Sequence, residues 1–191
     1  MDIANIDRHI CHRFSMKSGI LPFSSKLPDL SRNDLAKLFA KLEYNVGAEI
    51  GVYRGENAKV LLDANPNLKL ICVDPWIGDL KQSRYISAMK RLTGCNIEVK
   101  RMLSVEAAKE IEDGSLDFVY IDASHLFDDI MTDLITWVRK VRIGGIVSGH
   151  DYFHVSKIGV MEAVNAYTHA HYIIQWYITN DVHPSWFWVK K

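Results

Sequence analysis

This sequence of 191 residues predicts a doubly wound, three-layer α/β sandwich: a mostly parallel seven-stranded sheet that ends in an antiparallel C-terminal hairpin. Three observations predict it. Short runs that are apolar throughout recur from residue 46 onward, as strands covered on both faces require. Helical patterns separate those runs, so neighbouring strands run parallel with helices as their crossovers. The last two strand-like runs are joined only by Asn180-Asp181-Val182-His183-Pro184. That connection is too short for a helix, which makes them antiparallel neighbours.

Residues 1–30 read as an irregular arm or lid, with Gly19, Pro22 and Pro28 interrupting any period and one short helix over 3–14. Ser31, with Asp34 three residues on, reads as the N-cap of a helix through Leu35, Leu38, Phe39 and Leu42, opening a domain over 31–191. Strand signals follow at 46–52, 68–73, 97–99, 116–121 and 145–148, and helical ones at 55–65, 79–93, 104–112 and 126–141. In the last of these helices Leu126, Phe127, Ile130, Met131, Leu134, Ile135, Val138 and Val141 form one stripe. A helix over 158–169 and strand-like runs at 171–179 and 185–189 complete the chain.

Composition narrows the function. Lys plus Arg and Asp plus Glu each number 23, for a net charge of zero. That balance argues against nucleic acid or a membrane surface as partner. No apolar run approaches the roughly 18 residues of a membrane span, and the first residues lack the apolar stretch of a secretory signal. Cys11, Cys72 and Cys95 are odd in number and far apart, which suits a reducing compartment. The expectation is a soluble, cytoplasmic, single-domain protein.

Ligands of such sheets bind beyond the carboxyl ends of the strands. The first strand ends in Glu49-Ile50-Gly51-Val52-Tyr53-Arg54-Gly55, whose glycines suit either a ligand's close approach or simply a tight turn. The second ends in Asp74, 23 residues after Gly51, near the spacing of about 20 for an acid that binds a ribose diol. Asp74-Pro75 also suits a plain turn. Trp76 offers a face to an adenine or packs the sheet edge. The fourth strand ends in Asp122-Ala123-Ser124-His125 and the fifth in His150-Asp151-Tyr152. Asp122, His150 and Asp151 suit a divalent cation, magnesium or calcium if oxygen dominates and manganese if an imidazole joins. Helix capping is the plain alternative for either Asp. His125 is placed to take a proton from a substrate hydroxyl, or to cap the next helix. The remaining histidines, His183 among them, read as surface or packing residues. His9 and His12, flanking Cys11, are too few for a zinc site.

These motifs, with Asp133, Trp137, Gly144-Gly145 and the terminal hairpin, resemble over about residues 45–190 a class I S-adenosylmethionine-dependent methyltransferase. The resemblance is to the subgroup that includes metal-dependent macrolide-sugar O-methyltransferases. It implies methyl transfer to a hydroxyl of a small molecule, a sugar or glycoside among the candidates, with Mg2+ or another divalent cation. It further implies that Glu49, Gly51 and Gly55 face the amino-acid part of the cofactor, that Asp74 binds its ribose and that Ser104 lies near the adenine. Tyr53 stands where the usual loop has its middle glycine. Asp122 and Asp151 become metal ligands, His150 stands where relatives often have another acid, and His125 becomes the general base. Without a dedicated substrate domain, a second subunit of a homo-oligomer is expected to complete the pocket. The alternatives are a nicotinamide-dependent oxidoreductase or epimerase, and a silent cofactor-binding module.

Overall fold

A computed structural model describes residues 6, 8–10, 25, 26, 29–78, 81–155 and 158–191. Its elements are β1 (Ser25–Lys26), α1 (Arg32–Lys41), β2 (Val46–Ile50), α2 (Glu56–Ala64), β3 (Lys69–Val73), α3 (Lys81–Arg91), β4 (Ile97–Lys100) and α4 (Ser104–Lys109). There follow β5 (Leu116–Ile121), α5 (Phe127–Trp137), one 3-10 turn (Val138–Lys140), β6 (Val141–Gly149), α6 (Val160–Ala170), β7 (Tyr177–Ile178) and β8 (Trp186–Val189).

The sheet order is β1-β7-β8-β6-β5-β2-β3-β4. Strands β4, β3, β2, β5 and β6 are parallel, and β8 runs antiparallel to both β6 and β7. The mostly parallel sheet with its antiparallel C-terminal hairpin is therefore as expected. The two-residue β1, parallel to β7, adds an eighth strand where the sequence showed only an irregular arm. Most of the 3–14 helix, Cys11 and His12 lie outside the described residues. Of those described, Ile6 and Ile10 are buried in the core.

Although the strands look uniformly apolar, their side chains alternate between two cores. Leu70 and Cys72 face α1, α2 and α3, whereas Ile71 and Val73 face α4, α5 and α6. Ser31 caps α1 with a reciprocal capping box to Asp34, as read from the sequence. The stripe on α5 is narrower than expected. Ile130, Leu134 and Trp137 are buried, but Leu126 is 58% and Ile135 57% exposed. Leu126 precedes the helix, and Ile135 points away from the sheet. The strand expected over 171–179 shrinks to Tyr177–Ile178 because His171 and Ile173 spend their amides on Tyr167 O and Thr168 O, closing α6. Among the described residues no helix is long and apolar enough to cross a membrane.

Candidate active site

The chain leaves β2 for β3 and β4 on one side, then returns to β5 on the other. The crevice of a doubly wound sheet opens at that reversal. Backbone hydrogen bonds carry the ladder past the strand ends: Gly51 N donates to Val73 O at 2.8 Å, Asp122 N to Ile50 O at 2.7 Å and His150 N to Ile121 O at 3.1 Å. These bonds fix the loops above β2, β5 and β6 around one cavity of about 910 Å3. That is near the top of the range of about 300–1,000 Å3 for small-molecule sites. Of the candidate cofactor, cation and base residues read from the sequence, all line it except Gly55, which caps α2 in a left-handed conformation (φ 76°).

Gly51 has φ 89°, and a Cβ there would meet Asp122 O at 2.0 Å. Its glycine is thus required by the packing of one strand-end loop on the next. The Asp74 carboxylate gathers the same turn: Oδ2 accepts from Val52 N at 3.1 Å and Tyr53 N at 2.9 Å, and Oδ1 from Trp76 N at 2.8 Å. Of about four acceptor positions one is left for a ligand. Trp76 is 2% exposed, donates from Nε1 to Tyr53 O and lies edge-on to Tyr85, so its ring belongs chiefly to the core. Tyr53, Trp76 and Asp151, all lining the cavity, hold positive φ angles of 54°, 41° and 57°. Strain of that kind gathers at ligand sites.

Glu49 is 1% exposed. Its Oε1 accepts from Asn57 Nδ2 at 2.8 Å, but Oε2 has no hydrogen-bond partner. Burial pushes its pKa up to about 8. A buried acceptor facing a cavity calls for a ligand donor. Arg32, entering from α1, lines the same wall, and its charge draws the Glu49 pKa partly back. Farther along, Trp137 Nε1 donates to Ser104 Oγ at 2.7 Å, and Ser104 Oγ donates to Asp133. Burial raises the Asp133 pKa to about 6.

At the β5 and β6 ends, His125 Nε2 lies 3.5 Å from Asp122 Oδ1 and 3.3 Å from Asp151 Oδ2. This nitrogen is buried without an aligned hydrogen bond, yet Asp122 first, and then the charge of Asp151, raise its pKa. One ligand atom from each of Asp122, His125 and Asp151 falls within 4.8 Å of the others, a donor set that could hold a cation. The imidazole in that set is His125 rather than the expected His150. His150 instead approaches Asp151 Oδ1 at 3.1 Å and Asp122 Oδ2 at 3.7 Å. Burial works against the Asp151 carboxylate, but His150, His125 and His183 outweigh it and lower its pKa.

His183, read from the sequence as a surface or packing residue, belongs to this cluster. Its Nδ1 lies 3.1 Å from Asp151 Oδ1 and its ring faces His150 at 6.2 Å. The signal that could have found it is the hairpin itself. Antiparallel pairing of Trp186 with Gly149 brings the 180–184 turn to the carboxyl end of β6, where Tyr152 N donates to Pro184 O.

A family model described as a methyltransferase domain matches residues 48–152. The uncharacterized protein y4gI of Sinorhizobium fredii (strain NBRC 101917 / NGR234) is 30% identical over 86 residues, 41% of this chain. The match spans only 10% of that protein's length. Among solved structures, the O-methyltransferase TomG of Streptomyces achromogenes, involved in tomaymycin synthesis and solved with SAM, is similar with a TM-score of 0.65 and 16% identity, covering 99% of this chain and 89% of that one. An O-methyltransferase from Bacillus cereus in complex with SAH gives 0.65 and 13%, covering 98% and 90%. At these identities the likeness is one of fold.

Proposed function

The chain belongs to the methyltransferase domain family, and on that premise we propose that it moves a methyl group from S-adenosylmethionine to a hydroxyl of a small molecule, a sugar or glycoside, with a divalent cation. The nicotinamide alternative recedes with that membership. One observation carries the reading: Asp74, the ribose candidate, and Asp122, the cation candidate, line a single cavity with Glu49.

The residues fit the cofactor's chemistry. The ammonium and sulfonium of S-adenosylmethionine are cationic, and Glu49 Oε2 is a buried acceptor without a partner. Arg32 suits the carboxylate of the same amino-acid group. The remaining acceptor position of Asp74 suits a ribose hydroxyl, and Ser104 and Asp133 suit the adenine end. The donor set of Asp122, His125 and Asp151, two oxygens and one nitrogen, suits magnesium or manganese.

When bound, S-adenosylmethionine supplies an electrophilic methyl and the cation a Lewis acid beside the acceptor oxygen. The protein's tasks are to align the two and to remove a proton. His125 has its Nε2 turned toward both carboxylates, which suits a ligand better than the base that the sequence suggested. His150 and His183 each brace Asp151 Oδ1. His183, whose side chain is 60% exposed, keeps its second ring nitrogen for the acceptor's proton.

Calorimetric titration with S-adenosylhomocysteine, with and without manganese, followed by transfer of labelled methyl to a panel of sugars and glycosides, tests this reading. Binding and labelled product support it; no cofactor binding under either condition rejects it.

A further inference from the structure

Among the described residues three arginines end on carboxylates: Arg91 on Glu56, Arg139 on Asp113 and Arg142 on Asp117. Three arginines at one side of the cavity mouth do not. Arg54 and Arg84 lie 5.3 and 4.7 Å from the ring centre of Tyr53, and Arg101 lies 4.6 Å from that of Tyr85. Among the described residues none of the three has an ion-pair partner. Tyr53 and Arg84 line the cavity itself. Helix α3, which carries Arg84, also has Lys81, Lys90 and Arg91 and no acidic residue.

From this we infer that the arginines around Tyr53 bind an anionic group, a phosphate or carboxylate, carried by the acceptor. The inference rests on the methyl-transfer reading of the cavity and adds the acceptor's charge. Two guanidinium groups brought to one ring repel each other, and neither is ion-paired to a carboxylate of the described residues. Arg101 also donates from Nη2 to Gln82 Oε1 at 2.8 Å, whereas among the described residues the Arg54 and Arg84 forks, each held over the Tyr53 ring, keep their N–H edges free for bidentate binding of an oxyanion. The cavity interior has the opposite character, with Glu49, Asp74, Asp122 and Asp151 on its walls. An acceptor held at the mouth by its anionic end has its hydroxyl end free to enter toward Asp122 and Asp151. With a net charge of zero over the whole chain, the basic mouth is a local feature.

The test uses the full chain saturated with S-adenosylhomocysteine in metal-free buffer, titrated calorimetrically with inorganic pyrophosphate and, separately, with citrate. Saturable binding of either anion is expected, and the stronger of the two identifies phosphate or carboxylate chemistry. Arg84→Gln and Arg54→Gln should each weaken it about tenfold, with S-adenosylhomocysteine affinity held within about twofold of wild type. Arg139→Gln, remote from the mouth, should leave it unchanged. Equal binding by all variants, no binding of either anion by the wild type, or preference for a single-stranded RNA over both anions would overturn the inference. Should S-adenosylhomocysteine itself fail to bind, the methyl-transfer reading falls, and the same anion titration on the free chain still decides whether the arginines form a site.

Discussion

His183 Nδ1 lies 3.1 Å from Asp151 Oδ1, so the C-terminal hairpin supplies a side chain to a cluster otherwise built from the ends of β5 and β6. The contact separates two roles. His125→Ala should lower manganese affinity by about 10-fold or more, read by electron paramagnetic resonance. His183→Ala should leave manganese bound but reduce methyl transfer by about 100-fold. The reverse pattern would exchange the two assignments.

Glu49 ties stability to pH. Its folded pKa of about 8 lies above the 4.5 of an ordinary glutamate, so the folded chain keeps a proton that the unfolded chain releases. Stability is then lost as pH rises from about 4.5 to about 8, by an amount on the order of a few kcal/mol. Urea denaturation across that window should show the slope, and Glu49→Gln should flatten it. Asp133 and His125, whose pKa values are also raised, tilt the curve the same way, so an unchanged slope in Glu49→Gln would shift the cause to those two.

Cofactor binding should carry the same signature. A ligand ammonium placed on Glu49 favours the carboxylate, so S-adenosylhomocysteine should release up to about one proton near pH 6.5. Calorimetry in buffers of different ionisation enthalpy measures that release. Glu49→Gln should abolish it.

Gly51→Ala should destabilise the fold by about 3 kcal/mol or more, because its Cβ would press on Asp122 O and its φ is 89°. A denaturation midpoint close to that of wild type would show that the loop over β5 can retreat.

The parallel core was legible because each strand is a short apolar run and each helix begins where the period changes. Ser31 and Asp34 announced their capping box outright. What the chain hid were features set by distant partners. The β1 strand has two residues and exists only through β7. The segment after α6 looks like a strand but closes the helix, with Tyr172 at φ 52°. At the site, Glu49, Asp74, Asp122, His125 and Asp151 were readable because each ends a strand or opens the loop that follows one. His183 was not, since its neighbour is 32 positions away and is reached only through the pairing of β8 with β6. Both His125 and His150 come within 3.7 Å of Asp122 and Asp151, and which ring nitrogen faces which oxygen is not encoded in spacing.

Asp74→Ala should strip an acceptor from the Val52, Tyr53 and Trp76 amides, costing about 1–3 kcal/mol, and should weaken S-adenosylhomocysteine binding about tenfold or more. Unchanged affinity would remove Asp74 from the cofactor's contacts and leave it the loop clamp alone.

The most direct test of a cofactor and a cation sharing one rim is nuclear relaxation of the 13C-labelled methyl of bound S-adenosylmethionine in the presence of manganese. Strong paramagnetic broadening of that methyl, lost in Asp122→Asn and Asp151→Asn, is the expected result. A chain that binds both ligands while the methyl signal stays sharp would contradict it.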